Sequence, residues 1–122
     1  MSDELKPIRW VGASLRALRR FPAAVRHDVG YALYLAQKGE KAGSAKPLKG
    51  IVRGAGVLEI VEDRDGDTYR TVYTVRFEGA VYVLHAFQKK SRKGIETPKQ
   101  TIELIRARYA QAKWDYEARG TE

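Results

Sequence analysis

Residues 57–90, VLEIVEDRDGDTYRTVYTVRFEGAVYVLHAFQKK, decide the fold. Runs rich in Val, Tyr, Thr and Phe are broken by two turn signals, Asp65-Gly66 and Glu78-Gly79. β-Branched and aromatic residues suit the pleated surface of a sheet, and Asp-Gly is a dipeptide that tight hairpins select. The spacing predicts strands over 57–62, 68–77 and 80–88, joined as an antiparallel three-strand meander. Because side chains alternate along a strand, Val57, Glu59 and Val61 share a face of the first. In the second, Arg70 falls with Val72, Thr74 and Arg76, opposite Tyr69, Tyr73, Val75 and Phe77. In the third, His85, Phe87 and Lys89 fall opposite Ala86, Gln88 and Lys90. A charge in mid-sheet needs a partner, and Glu59 on the neighbouring strand is the available structural partner for Arg70.

Downstream, the last strand runs into Lys89, Lys90, Arg92 and Lys93, and Thr97-Pro98 then spells the start of a helix. Thr97 is expected to cap it and Pro98 to take its first position. Ile102, Ile105, Tyr109, Ala112 and Tyr116 recur at intervals of three and four, a stripe that packs on the sheet as core. Fraying is expected from Glu117 to residue 122 and over residues 1–5.

Upstream, Ile8, Trp10 and Val11 suit a short first strand. Ser14 is placed to cap a short helix carrying Leu15 and Leu18, which Pro22 ends. Pro22 also suits the first position of a second helix, with Val25, Val29, Ala32, Leu33 and Ala36 as its inward stripe and Gly39 as its stop. The two helices read as a hairpin laid on the sheet, with their arginines in solvent. From Gly39 to Gly56 periodicity gives way to glycines and cations, the composition of a mobile basic loop in which Lys46, Lys49 and Arg53 can meet phosphate. Gly54-Ala55-Gly56 is no dinucleotide fingerprint, since Glu59 stands where the third glycine belongs and a strand follows. The expected class is α+β: a short N-terminal strand, a two-helix hairpin, the meander and a C-terminal helix, forming one domain over 1–122.

The chain has 122 residues, 43% hydrophobic and 31% charged, with no cysteine and a formal net charge of +8. Such a composition fits an ordinary globular chain with no membrane span, disulfide scaffold or thiolate zinc site. The acidic, polar N-terminus carries no secretory signal, so cytoplasmic residence is expected. An excess of cations gathers polyanions, and nucleic acid is the expected partner. His27 and His85 fall on different elements, so neither a metal site nor a cofactor is expected. RNA supplies its own nucleophile in the 2′-hydroxyl, and an enzyme that cleaves it must align the attack, neutralise the phosphate and move two protons. Lys89, Lys90 and His85 are the candidates for that work, His85 as proton carrier if it faces the site. In an apolar strand His85 can equally be a satisfied core residue.

The order of elements resembles the RelE and ParE superfamily of bacterial toxins. The spellings KPLKG (46–50), VLEI (57–60), TYRTVYTV (68–75) and HAFQKKSRKG followed by Thr97-Pro98 (85–98) resemble its HigB-like, phage-derived branch. The resemblance implies a RelE-like fold and the toxin of a type II toxin–antitoxin pair. Such toxins are ribosome-dependent endoribonucleases (mRNA interferases), which cut messenger RNA in the A site of the 30S subunit, and are silenced by a helix-turn-helix antitoxin. It implies that Arg70 clamps the scissile phosphate and that Lys90, with Lys89 beside it, is the cation after the last strand. Arg92 and Lys93 then hold the ribosomal or antitoxin surface. Some RelE members carry catalytic lysines where this chain has Leu58, Glu59 and Ile60, so the general base stays open among Lys46, Lys49 and His85. Two other readings share the fold: a ParE-like inhibitor of DNA gyrase, and a non-catalytic module that binds nucleic acid or antitoxin.

Overall fold

The computed structural model describes residues 4–89 and 97–120. Its elements are β1 (Ile8–Trp10), α1 (Ser14–Arg19), α2 (Ala23–Gln37), β2 (Ala45–Pro47), β3 (Val57–Arg64), β4 (Asp67–Thr74), β5 (Val81–Lys89) and α3 (Lys99–Gly120). Asp65 and Gly66 take positive φ angles of 53° and 84°, which close β3 onto β4 as a two-residue hairpin with Arg64 opposite Asp67. The meander β3–β4–β5 follows, and two further strands extend it to a five-stranded sheet in the order β1-β5-β4-β3-β2. All neighbours are antiparallel except β1, which lies parallel to β5.

The sheet separates two apolar layers. Val25, Val29, Leu33 and Ala36 of α2 pack with Ile60, Tyr69, Tyr73, Val81 and Val83 on one face. Ile105, Tyr109 and Ala112 of α3 pack with Val57, Val72, Tyr82 and Leu84 on the other. Both helical stripes therefore face inward as their spacing requires. Each fully buried aliphatic side chain stabilises the fold by about 1.5–3 kcal/mol.

Several local readings are corrected. The stretch from Gly39 to Gly56 is not all loop. It holds β2 as an edge strand, where the missing N–H of Pro47 breaks no ladder, and it buries Ile51 and Ala55. Ser14 does not cap α1, whose N-cap is Ala13. The Ser14 side chain is buried and donates to the Val83 carbonyl at 3.1 Å, stitching α1 to β5. Pro22 is the N-cap of α2 rather than its first residue, with an extended ψ of 151°. Gly39, at φ 85°, ends α2 as expected: its N–H reaches the Ala36 carbonyl and that of Glu40 reaches Leu35, the paired bonds of a Schellman motif. α3 starts at Lys99, after Pro98, and stays helical to Gly120, beyond the point where fraying was expected.

β4 stops at Thr74 rather than 77. The Thr74 hydroxyl donates to the carbonyls of Ala55 (2.7 Å) and Gly56 (3.0 Å) and accepts from the Arg76 N–H (3.1 Å). Released from strand alternation, Phe77 turns into the α3 layer instead of following Tyr73.

The most consequential departure is in β5. Val72 pairs with His85, but Tyr73 pairs with Val83, so Leu84 is an extra residue and the strand carries a β-bulge. Upstream of it, Val81 and Val83 face the helical hairpin while Tyr82 and Leu84 face α3. Strict alternation would send His85 after Val83, into the hairpin core. The bulge reverses the phase, and Leu84, His85 and Phe87 all lie on the α3 side.

Candidate functional site

The register places the candidate residues on one face. Directly opposed residues of an antiparallel pair project to the same side, so Lys46, Glu59, Val72 and His85 form a row across β2, β3, β4 and β5. The next row contains Val61, Arg70 and Phe87, and the one beyond it Asp63, Thr68 and Lys89. With strands about 4.8 Å apart and residues about 3.4 Å apart along them, the Cα atoms of Arg70 and His85 lie roughly 8 Å from each other. Lys46, three strands from His85, lies roughly 14 Å away. Arg70, His85, Phe87 and Lys89 thus form one corner, and Lys46 stands apart on the exposed edge strand.

Arg70 and Glu59 make the pair anticipated from their alternation. Nη1 of Arg70 lies 3.1 Å from Oε1 of Glu59, and only 9% and 8% of the two side chains are exposed. The other carboxylate oxygen accepts from the Thr97 hydroxyl at 3.2 Å, so Glu59 joins the approach to α3 to the sheet. Nε of Arg70 is buried and has no hydrogen-bond partner among the described residues. A guanidinium carries five N–H donors in a planar fork, and this carboxylate engages it at one nitrogen.

His85 is held more tightly than the sequence suggests. Its ring stacks on Phe87, with centroids 5.1 Å apart and planes at 21°. Arg108, reaching from α3, places Nη1 2.9 Å from the Leu84 carbonyl and 3.2 Å from Nδ1 of His85. Burial, and next the Arg108 charge, push the imidazole down from its usual range to about 4. At neutral pH the ring is uncharged.

Lys49 and Arg53 are not brought to this corner. Both line a separate cleft of about 530 Å³ between residues 47–57 and Arg106, whose guanidinium is bonded to the Gly50 and Ile51 carbonyls. Lys90, Arg92 and Lys93 lie outside the described residues. Among the described residues no three His, Asp or Glu side chains gather where a metal ion could sit, and no helix is long and apolar enough to cross a membrane.

A family model described as "Phage derived protein Gp49-like (DUF891)" matches residues 16–110, from within α1 to within α3. The chain belongs to this Gp49-like family. It is a family of RelE-like toxins. The fold of this Gp49-like protein is similar to that of the E. coli toxin RelE, solved as a mutant in the free state: 15% identity, TM-score 0.56, covering 89% of this chain and 98% of that one. At that identity the likeness establishes the α+β RelE-like fold. The toxin–antitoxin complex RelBE2 from Mycobacterium tuberculosis also matches, at 22% identity and a TM-score of 0.47, over 74% of this chain and 100% of that one. No curated protein matches the sequence.

Within the Gp49-like span lie two contributors that sequence reasoning missed, Arg108 and Phe87 in its role as a stacking partner. Arg108 could have been sought as the residue three after the buried Ile105, flanking the apolar stripe and so reaching the sheet at its margin. Nothing in the spelling of residues 81–89 announces the bulge.

Proposed function

We propose that this Gp49-like protein is the toxin of a type II toxin–antitoxin pair and that it cleaves messenger RNA on the ribosome without a metal ion. The observation that carries this reading is the corner formed by Arg70, His85, Phe87 and Lys89 on one sheet face of a chain with net charge +8. In the reaction the 2′-oxygen attacks the adjacent phosphorus in line, the bond to the 5′-oxygen breaks, and a 2′,3′-cyclic phosphate is left. One proton passes from the 2′-hydroxyl to a neighbouring water and one reaches the departing 5′-oxygen. Such chemistry asks mainly for alignment and for charge placed where the pentacoordinate phosphate develops.

In this reading the guanidinium of Arg70, buried beneath the site and held by Glu59, lends its charge to the scissile phosphate, and Lys89, with Lys90 next to it, supplies the second charge. The neutral His85 ring hydrogen-bonds a phosphate oxygen rather than delivering a proton, because imidazolium is scarce three units above a value of about 4. That assigns protonation of the 5′-oxygen to the lysines. Lys46 contacts a neighbouring phosphate, while Lys49, Arg53, Arg92 and Lys93 hold flanking RNA or the ribosomal surface. The partner that silences the protein is a helix-turn-helix antitoxin, and the place of action is the cytoplasm.

The test is cleavage of a message on programmed ribosomes by purified protein stripped of metal with EDTA and dialysed before it is added. Cyclic-phosphate ends that depend on ribosomes and on Arg70 and Lys89 support the reading. Intact message, together with inhibited supercoiling by gyrase, replaces it with the ParE-like alternative.

A further inference from the structure

Arg108 is a cation with no carboxylate within reach among the described residues. It is only partly exposed, and its guanidinium lies instead against two neutral acceptors, the Leu84 carbonyl at 2.9 Å and Nδ1 of His85 at 3.2 Å. Partly desolvating a charge without a counter-ion is unfavourable unless its donors are used, so the two acceptors account for where it sits. The backbone makes room for it. Gly12 has a φ of +57°, and a Cβ there would lie 2.9 Å from Nε of Arg108. The bulge at Leu84 brings the carbonyl and the ring to the same side. The bare Gly12 leaves space for the Arg108 guanidinium, and the bulge sets His85 on the side where that guanidinium meets Nδ1.

Arginine donates and never accepts at ordinary pH. The ring nitrogen it faces must therefore hold a lone pair, and the proton of a neutral ring must sit on the other nitrogen. We propose that Arg108 is a positioning residue: it fixes His85 in the Nε2–H tautomer, so that the ring offers a single N–H donor to a phosphate oxygen. Stacking on Phe87 sets the plane of the ring, and Arg108 sets its tautomer. Among the described residues, the other charged groups around this corner are Arg70 and Glu59, paired with each other on β4 and β3, and Lys89 further along β5. The bearing on cleavage rests on the proposed function. The tautomer does not.

Long-range ¹H–¹⁵N correlation spectra of the ¹⁵N-labelled chain test it, with the exposed His27 as internal reference. The expected result is one Nε2–H tautomer for His85 and a ring that remains uncharged down to about pH 4. Arg108→Gln should populate both tautomers and shift the titration upward, Arg108→Lys should restore part of the effect, and Gly12→Ala should disturb it from the other side. In the ribosome assay Arg108→Gln should lower the maximal rate about tenfold or more, at little change in KM. An Nδ1–H tautomer in the wild-type protein overturns the proposal, whatever the variants do. So does Arg108→Gln that keeps a native amide spectrum and leaves tautomer and titration unchanged. A variant with altered tautomer but undiminished cleavage overturns the positioning role. A wild-type chain that holds the Nε2–H form yet cleaves nothing supports the tautomer assignment and overturns the ribonuclease reading.

Discussion

Glu59 and Arg70 meet diagonally across the β3–β4 ladder at 3.1 Å, each side chain more than nine-tenths buried, with the remaining oxygen of Glu59 on the Thr97 hydroxyl. The pair lies inside the candidate site and also inside the structure that supports it. Removing one partner strands the other as an uncompensated buried charge. Glu59→Ala and Arg70→Ala should each lower stability by about 3–5 kcal/mol, whereas Glu59→Leu combined with Arg70→Met should recover most of that loss. Urea denaturation of the single and double variants measures this. Activity lost in Arg70→Ala therefore counts as chemistry only when the variant is shown to be folded.

His85 should make stability depend on pH in the acid range. Its folded value is depressed from 6.5 to about 4, so between those values the unfolded chain binds the extra proton. The contribution is fully present above pH 6.5 and is lost as pH falls through about 4. The full shift would correspond to about 3 kcal/mol; solvent screening of a half-buried ring reduces the expected loss to about 1–2 kcal/mol. Thermal melts of wild type and His85→Gln between pH 7 and pH 4.5 check it, and the variant should lack this part of the pH dependence.

Tyr82 anchors the far end of α3. Its ring is buried, its hydroxyl donates to Asp115 at 2.7 Å and accepts from Arg9 at 3.0 Å, and Asp115 is also paired with Arg119 at 2.7 Å. Tyr82→Phe keeps the apolar packing and removes both hydroxyl bonds. It should lower stability by about 1–2 kcal/mol without affecting RNA cleavage.

Lys46 should behave in the opposite way. It is exposed on an edge strand, so Lys46→Ala should change stability by less than about 0.5 kcal/mol. If it meets a phosphate, RNA affinity falls and the slope of log affinity against log salt decreases in magnitude by about 0.7 for a single strand. Fluorescence anisotropy across a salt series reads both.

Much of the fold was legible because period and turn chemistry agreed. Asp65-Gly66 could only close a tight hairpin, and the stripes of α2 and α3 had to face a sheet. The Glu59–Arg70 pair was legible for a related reason, since a mid-sheet charge must be answered from a neighbouring strand. What escaped was set by backbone events that leave little trace in composition. The bulge at Leu84 inserts a residue into an unbroken apolar run, so nothing in the spelling shows that His85 changes face. β2 hides among glycines because an edge strand of three residues is specified by the pairing of Ala45 with Ile60 rather than by its own propensity. Ser14, spelled as a cap, answers a strand carbonyl that sequence alone does not bring near it.

The central claim is that the corner of Arg70, His85 and Lys89 cleaves ribosome-bound message, and mapping of message ends after brief induced expression tests it most directly. The account predicts new ends inside translated reading frames with 2′,3′-cyclic phosphates upstream of them, absent when translation initiation is blocked and lost in folded Lys89→Ala protein. The same end profile from wild-type and Lys89→Ala chains, or no new ends while growth stops, would contradict it.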